Sequence, residues 1–332
     1  MVMQQYRAPR WLSGQGPLGG NVQTIWPALY SRAHADHGGK RTDYQRQRWS
    51  TPDGDFIDVD FLPALAGRPL LVLFHGLEGS SQSHYARAFA HWATAQGWGY
   101  VVPHFRGCSG ELNRGPRTYH SGDHTEINWV LRRLAENHLG PVVAVGVSLG
   151  GNALLRWAQE QGACASDVVR AVAAISSPID LAAAGHALGR GFNRQVYTRM
   201  FLSSLKPKAL AKLAQHPGLF DEAALRAAKD LHAYDNAFTA PLHGFANTED
   251  YWARCSAKPG LKAMREVATL VVNARNDPFV PQACLPGYAD VGPAVTLWQP
   301  PEGGHVGFAS GRFPGHVADL PTSVGRWLDQ QI

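Results

Sequence analysis

The stretch Pro141-Val142-Val143-Ala144-Val145-Gly146-Val147-Ser148-Leu149-Gly150-Gly151-Asn152-Ala153-Leu154-Leu155-Arg156-Trp157-Ala158 sets the fold class. Its first half is an unbroken apolar run, the pattern of a strand covered on both faces. A helical pattern follows within a few residues, so a serine sits at the apex of a strand–turn–helix. A side chain at so sharp a turn is held in an unfavourable backbone conformation, at roughly 1–3 kcal/mol. The residues two before and two after it are crowded together, which accounts for Gly146 and Gly150. The helix N-terminus aims the Leu149 N–H at any anion forming beside the hydroxyl. In this context G-x-S-x-G places an exposed nucleophile above an α/β sheet.

Strand and helix patterns alternate outward from that turn. Arg46–Thr51 and Phe56–Leu62, joined through Pro52-Asp53-Gly54-Asp55, read as an antiparallel hairpin at a sheet edge. Pro69–Phe74, Gly99–Pro103, Val169–Ile175, Thr269–Asn273 and Ala294–Leu297 read as further strands. Helices are expected over Ser83–Gln96, Thr125–Asn137 and Leu320–Gln331. The alternation predicts a mostly parallel central sheet with helices on both faces, an α/β architecture. Two segments interrupt the rhythm. Residues 1–45 read as an irregular segment whose aromatics Tyr6, Trp11, Trp26 and Tyr30 pack it on the body. Residues 180–265 are helical in pattern and read as a cap inserted into a core formed by 46–179 and 266–332.

A serine is a weak nucleophile at neutral pH and needs a base, itself oriented by an acid. In this architecture the chain order is serine, acid, histidine. Asp277 lies just past the strand Thr269–Asn273, where a carboxylate faces the ligand-binding edge of the sheet. His305, in Glu302-Gly303-Gly304-His305-Val306-Gly307-Phe308, follows the strand ending near Leu297. Asp180, after an earlier strand, competes for the role of acid, although Leu181 and its neighbours suit it as a helix cap. The Leu149 N–H supplies one oxyanion donor. The second is expected from the loop His75-Gly76-Leu77-Glu78-Gly79-Ser80, at Leu77. His75 reads as a structural residue that shapes this loop. Phe192, Tyr197, Phe201, Leu202 and Leu205 read equally well as an acyl-pocket lining and as the small core of the cap.

Composition narrows the alternatives. The 332 residues carry 17% charged and 45% hydrophobic side chains with a net charge of +5, an ordinary globular balance. The basic residues are scattered, which argues against a nucleic-acid partner. Cys108, Cys164, Cys255 and Cys284 are far apart and form no C-x-x-C pair. They read as free thiols, and no metal site is expected. No apolar run suffices for a transmembrane segment, and the N-terminal residues lack a signal-peptide pattern, so a cytoplasmic location is expected. The run Leu205-Lys206-Pro207-Lys208-Ala209-Leu210 reads as solvated charge with the option of transient contact with a membrane surface.

The ensemble of motifs resembles the α/β-hydrolase superfamily, and within it the YheT-like branch of hydrolases. The resemblance rests on Gly19-Gly20-Asn21-Val22-Gln23-Thr24, His75–Ser81 with His84-Tyr85, and Phe105-Arg106-Gly107-Cys108-Ser109-Gly110. It continues through Tyr119-His120-Ser121-Gly122-Asp123, Gly146–Asn152, Thr239-Ala240-Pro241 with Gly244-Phe245, Asn276-Asp277-Pro278 and Gly303–Phe308. It implies Ser148 as nucleophile, Asp277 as acid and His305 as base. It further implies a carboxylic-ester hydrolase acting on short- to medium-chain or lipid-like acyl esters without a cofactor. Membrane anchoring, found in eukaryotic relatives, is not carried over. A thioesterase, amidase or lactonase could use the same groups, and a hydrolase fold that only binds a ligand is the non-enzymatic alternative.

Overall fold

The computed structural model describes residues 3–14, 16–32, 43–63 and 65–332. The apolar runs form β3 (Leu70–Phe74), β4 (Gly99–Pro103), β5 (Val142–Val147), β6 (Ala171–Ile175), β7 (Ala268–Val272) and β8 (Val295–Trp298). The hairpin forms β1 (Gln45–Ser50) and β2 (Phe56–Leu62). Together they make one eight-stranded sheet in the order β1-β2-β4-β3-β5-β6-β7-β8. The β1–β2 and β2–β4 pairings are antiparallel and the other five are parallel. The hairpin turn sets the antiparallel β1–β2 pair at one edge, while crossover helices enforce parallel pairing from β4 to β8.

Alternation along the strands divides the interior into two cores. Val72, Ala144, Val172 and Val271 face α3 (His124–Glu136) and α4 (Leu149–Gln161) through Ile127, Leu131, Leu154 and Trp157. Leu71, Leu73, Val143, Val145 and Leu270 face α2 (His84–Ala95) and the closing helix Asp319–Asp329 through Phe89, Leu320, Val324 and Leu328. Met3, Tyr6 and Leu12 from the N-terminal residues complete this second core. Acidic residues of β2 are buried as well. Asp58 pairs with Arg48, and Asp60 accepts from Arg46, His104 and Ser81.

The N-terminal segment is not irregular throughout. Gly19–Leu29 is a helix, α1, despite two leading glycines and an internal Pro27. Helix propensity argues against it, and packing overrides propensity. The Gly20 face lies so close to the Asn276 backbone that a β-carbon there would stand 1.9 Å from the carbonyl oxygen. Residues 33–42, which belong to the segment read as irregular, lie outside the described residues.

Between β6 and β7 the chain forms helices, chiefly Leu181–Leu188, Arg199–Gln215 and Thr248–Cys255, with π turns at Arg194–Thr198 and Asp235–Thr239. Leu202, Leu205, Leu225, Tyr234 and Phe238 give this insertion a core of its own. Lys212 ties it down: its buried ammonium donates to the carbonyls of Asn113 (2.5 Å) and Gly115 (2.8 Å). The run Leu205–Leu210 is solvated on one face only. Leu205 and Ala209 are buried, while Lys208 pairs with Glu78 at 2.9 Å and keeps 39% of its side chain exposed. Helical period explains the difference, because residues three or four apart share the face that meets the core.

Alanine in place of a helical glycine ordinarily gains about 1 kcal/mol. At Gly20 the sign reverses. Gly20→Ala is expected to cost roughly 1–3 kcal/mol, seen as a lower urea midpoint with an unchanged m-value.

Candidate active site

Ser148 occupies the turn between β5 and α4 at φ 53°, ψ −120°, a left-handed backbone for a residue with a side chain. The strain is held in place by neighbours. The Ser148 N–H donates to the Ile175 carbonyl at 2.8 Å, and α4 runs back over β3. A β-carbon on Gly150 would come within 2.4 Å of the Phe74 carbonyl oxygen, so only glycine lets the turn close. Leu149 opens α4, and its N–H is one of those with no intrahelical carbonyl to meet.

The structure brings Ser148, His305 and Asp277 together. His305 Nε2 is 2.9 Å from Ser148 Oγ, and His305 Nδ1 is 2.9 Å from Asp277 Oδ2. The other Asp277 oxygen accepts from the N–H groups of Phe279 and Val280, so the carboxylate cannot swing away. With the carboxylate ionised, Nδ1 carries the proton and Nε2 accepts from the serine. Both side chains are buried, and the Phe279 ring packs on the imidazole at 4.1 Å between centroids.

The His305 loop is held from three sides. Thr24 Oγ1 accepts from the His305 N–H at 2.8 Å, and Gln23 Oε1 accepts from the Gly303 N–H at 2.9 Å. The same Gln23 oxygen accepts from the Asn276 amide, whose own oxygen accepts from the Gly304 N–H. Ser176 Oγ accepts from the Val306 N–H, and His84 Nε2 meets the Val306 carbonyl. Two residues of α1 therefore fasten the acid loop and the histidine loop to each other.

Leu77 and Leu149 line one cavity with Ser148 and His305. The loop that carries Leu77 is clamped by two tyrosines. Tyr85 Oη accepts from the Gly76 N–H at 2.9 Å, and Tyr119 Oη accepts from the Glu78 N–H at 3.0 Å. The Tyr119 hydroxyl donates in turn to Glu78 Oε1, which holds Glu78 at φ 57°. The cavity, ≈ 140 Å³, is walled by Leu181, Leu188, Phe201, Leu205 and Phe238 of the insertion. Of the five apolar residues read from sequence, Phe201 and Leu205 face the cavity. Leu202 belongs to the core of the insertion, Tyr197 packs on Phe279, and Phe192 is exposed.

Asp180 is placed elsewhere. Its carboxylate caps the helix Leu181–Leu188 by accepting from the Ala183 N–H. His75 is fully buried, with Nδ1 on the Gly76 carbonyl and Nε2 accepting from the Phe105 N–H. Burial pushes its pKa down to about 3, so it stays neutral. Asp235, which also lines the cavity, is pushed up to about 6 by burial. All four cysteines are free, and among the described residues no cluster of His, Cys, Asp or Glu could hold a metal.

Residues 69–311 match the family model described as alpha/beta hydrolase fold. The chain belongs to the α/β-hydrolase family. It is 39% identical over 315 residues to the Escherichia coli (strain K12) protein YheT, covering 93% of this chain and 89% of that one. It is 28% identical over 285 residues to phospholipase ABHD3 of Mus musculus, covering 82% and 68% of the two chains. Among solved structures, the malate-bound thermophilic esterase of Thermogutta terrifontis superposes with a TM-score of 0.52 at 17% identity, over 86% of this chain and 99% of that one. That last likeness is one of fold.

Sequence reasoning found no role for Gln23, Thr24, Asn276, Tyr85 or Tyr119. All five lie in segments that mark the hydrolase resemblance, but the partners of Gln23, Thr24, Asn276 and Tyr119 are far away in the chain, and that of Tyr85 is nine residues back across the turn before α2. Neither periodicity nor local spacing reveals such contacts.

Burial also sets the acid limit of this hydrolase. It lowers His75, His120 and His243 to about 3 and His84 to about 4, all below the usual 6.5. A group whose folded pKa is depressed contributes stability that is full above its unfolded pKa and lost as pH falls toward the folded one. Burial raises the Glu126 and Asp235 carboxyls, which work in the opposite direction, but the histidines outnumber them. The melting temperature is expected to be level just above pH 6.5 and to fall steadily from there toward pH 4. A melting temperature that rises over that interval would contradict neutral burial of these rings.

Proposed function

We propose that the chain hydrolyses carboxylic esters by two-step acyl transfer, with Ser148 as nucleophile, His305 as general base and Asp277 as orienting acid. The observation that carries this reading is the continuous line Asp277–His305–Ser148, with both contacts at 2.9 Å, opening on an apolar cavity. Kinship with a protein named phospholipase ABHD3 is consistent with short- to medium-chain or lipid-like acyl esters as substrates.

In the first step His305 Nε2 takes the Ser148 proton as Oγ attacks the ester carbonyl carbon. The carbonyl π electrons move onto oxygen, where the N–H groups of Leu77 and Leu149 stabilise the charge. One such donor is typically worth about 2.7–4 kcal/mol in the transition state. The imidazolium, steadied by Asp277, then protonates the departing alkoxide, and the acyl group remains on Oγ. Water gives a proton to the same imidazole as it attacks the acyl carbonyl carbon; the Oγ–acyl bond then breaks, the imidazolium returns the proton to Ser148 Oγ, and the acid leaves. Each proton and electron pair is supplied by the substrate, water and these side chains, so the scheme draws on no cofactor.

On a series of aryl esters of increasing acyl length, Ser148→Ala is expected to lower kcat by on the order of 10³–10⁶. Asp277→Asn should cost about 10⁴, because the amide orients the wrong imidazole tautomer. Asp180→Asn should stay near wild type, and an opposite ranking of the two would reassign the acid. Thr24→Val should lower kcat about tenfold with KM nearly kept, because it displaces the histidine loop without touching the acyl chain. A flat chain-length profile would contradict the assignment of the cavity to the acyl group.

A further inference from the structure

The insertion carries a surface that the chemistry above leaves unexplained. Phe192, Val196 and Met200 recur every fourth residue and are 44%, 36% and 54% exposed. They lie on a continuous helical stretch that includes the π turn Arg194–Thr198, so this spacing places them on one face. Arg190, Arg194 and Arg199, interleaved with them, are all exposed. Charge around the stripe is one-sided. From Leu181 to Phe220, 40 residues contain no Asp or Glu and six Lys or Arg, of which Lys212 is buried and Lys208 is paired with Glu78, so the three arginines set the charge of the stripe.

The stripe is also adjacent to the reacting groups. The Phe192 ring meets Tyr197, Tyr197 meets Phe279 at 4.5 Å between centroids, and Phe279 meets His305 at 4.1 Å. Three ring contacts thus link an exposed aromatic to the imidazole. One turn further along the same helix, Phe201 and Leu205 line the cavity. The exposed face and the cavity wall are opposite sides of a single element.

We propose that this face docks the insertion onto an anionic lipid surface, with the apolar stripe entering the interface and the three arginines meeting lipid phosphates. A stripe of exposed apolar side chains flanked by cations is the composition that binds at a membrane interface, where apolar burial and charge attraction act together. A second copy of this chain fits less well, because two acid-free faces would repel. Docking in this orientation sets the edge of the cavity wall against the lipid, from which an acyl chain could pass toward Ser148. The inference rests on the ester-hydrolase reading for its purpose, but the surface can be tested apart from it.

The test is sedimentation of Ser148→Ala protein with vesicles of phosphatidylcholine alone or mixed with phosphatidylglycerol, so that no lipid is consumed. The protein is expected to pellet with the phosphatidylglycerol vesicles at low salt and less so at physiological salt. Phe192→Ser/Val196→Ser/Met200→Ser should weaken that binding about fivefold or more. Arg190→Gln/Arg194→Gln/Arg199→Gln should abolish the preference for the anionic lipid. With Ser148 restored, both triple variants should hydrolyse a short water-soluble ester like wild type, which shows that they fold. Protein that stays in the supernatant with both vesicle types, or variants that bind as well as the parent, would overturn the proposal. So would an unbound parent whose dimer the serine variant converts to monomer, since the face would then be a self-interface. Vesicle binding without any ester hydrolysis by wild type would leave the surface standing and defeat the hydrolase reading alone.

Discussion

Everything in the site depends on one distance, that between the His305 imidazole and the Ser148 hydroxyl, and the chain spends much of its structure fixing it. The serine end is set by the sheet: β5 stops, α4 begins, and the Ser148 N–H is tied to the end of β6. The histidine end has no strand or helix to fix it. It is a glycine-containing loop after β8, the kind of segment that is ordinarily free to move. Its position is fixed from outside, by Thr24 and Gln23 of α1, by Asn276 beside the acid, and by Ser176 at the end of β6. The loop inherits the rigidity of the sheet through α1, which packs on the acid loop as well. In the proposed mechanism, such pre-organisation lets the imidazole act as base with no ordering cost at the moment of reaction.

The fold was largely legible because its signals are local. Buried parallel strands appear as unbroken Val, Ala and Leu runs, and the strand bounds read from them fall within about two residues of those observed. The hairpin at Pro52–Asp55 needs only turn chemistry. α1 was not legible. Gly19, Gly20 and Pro27 oppose a helix, and the force that makes one is contact with Asn276, more than 200 residues along the chain. The surface reading of Leu205–Leu210 held for one face only, since the sequence shows the charges but not that Lys208 pairs with Glu78.

The site shows the same division. Ser148, Asp277 and His305 each follow a strand, so chain order and strand ends were enough to pick out three side chains that the structure brings into contact. Asp180 follows a strand too, and only geometry separates the two acids: Asp277 meets the imidazole, while Asp180 caps a helix. Tyr85 and Tyr119 were invisible because their hydroxyls clamp backbone N–H groups of the loop after β3, contacts that carry no periodic pattern. The insertion combines both kinds of information. Its helical pattern is plain from sequence, whereas the division of one helix between cavity wall and exposed stripe depends on how it packs against Glu78 and the Asn113 loop.

The most direct measurement of the central claim is the rate at which a fluorophosphonate labels the protein, read by intact mass and peptide mapping. The reagent requires a serine made nucleophilic by its surroundings, so it reports the convergence itself and not the choice of ester. The account predicts a single adduct on Ser148, lost in Ser148→Ala and slowed by on the order of 10³ or more in His305→Gln. Labelling at another residue, or an adduct on Ser148 that forms as fast without the imidazole as with it, would contradict it.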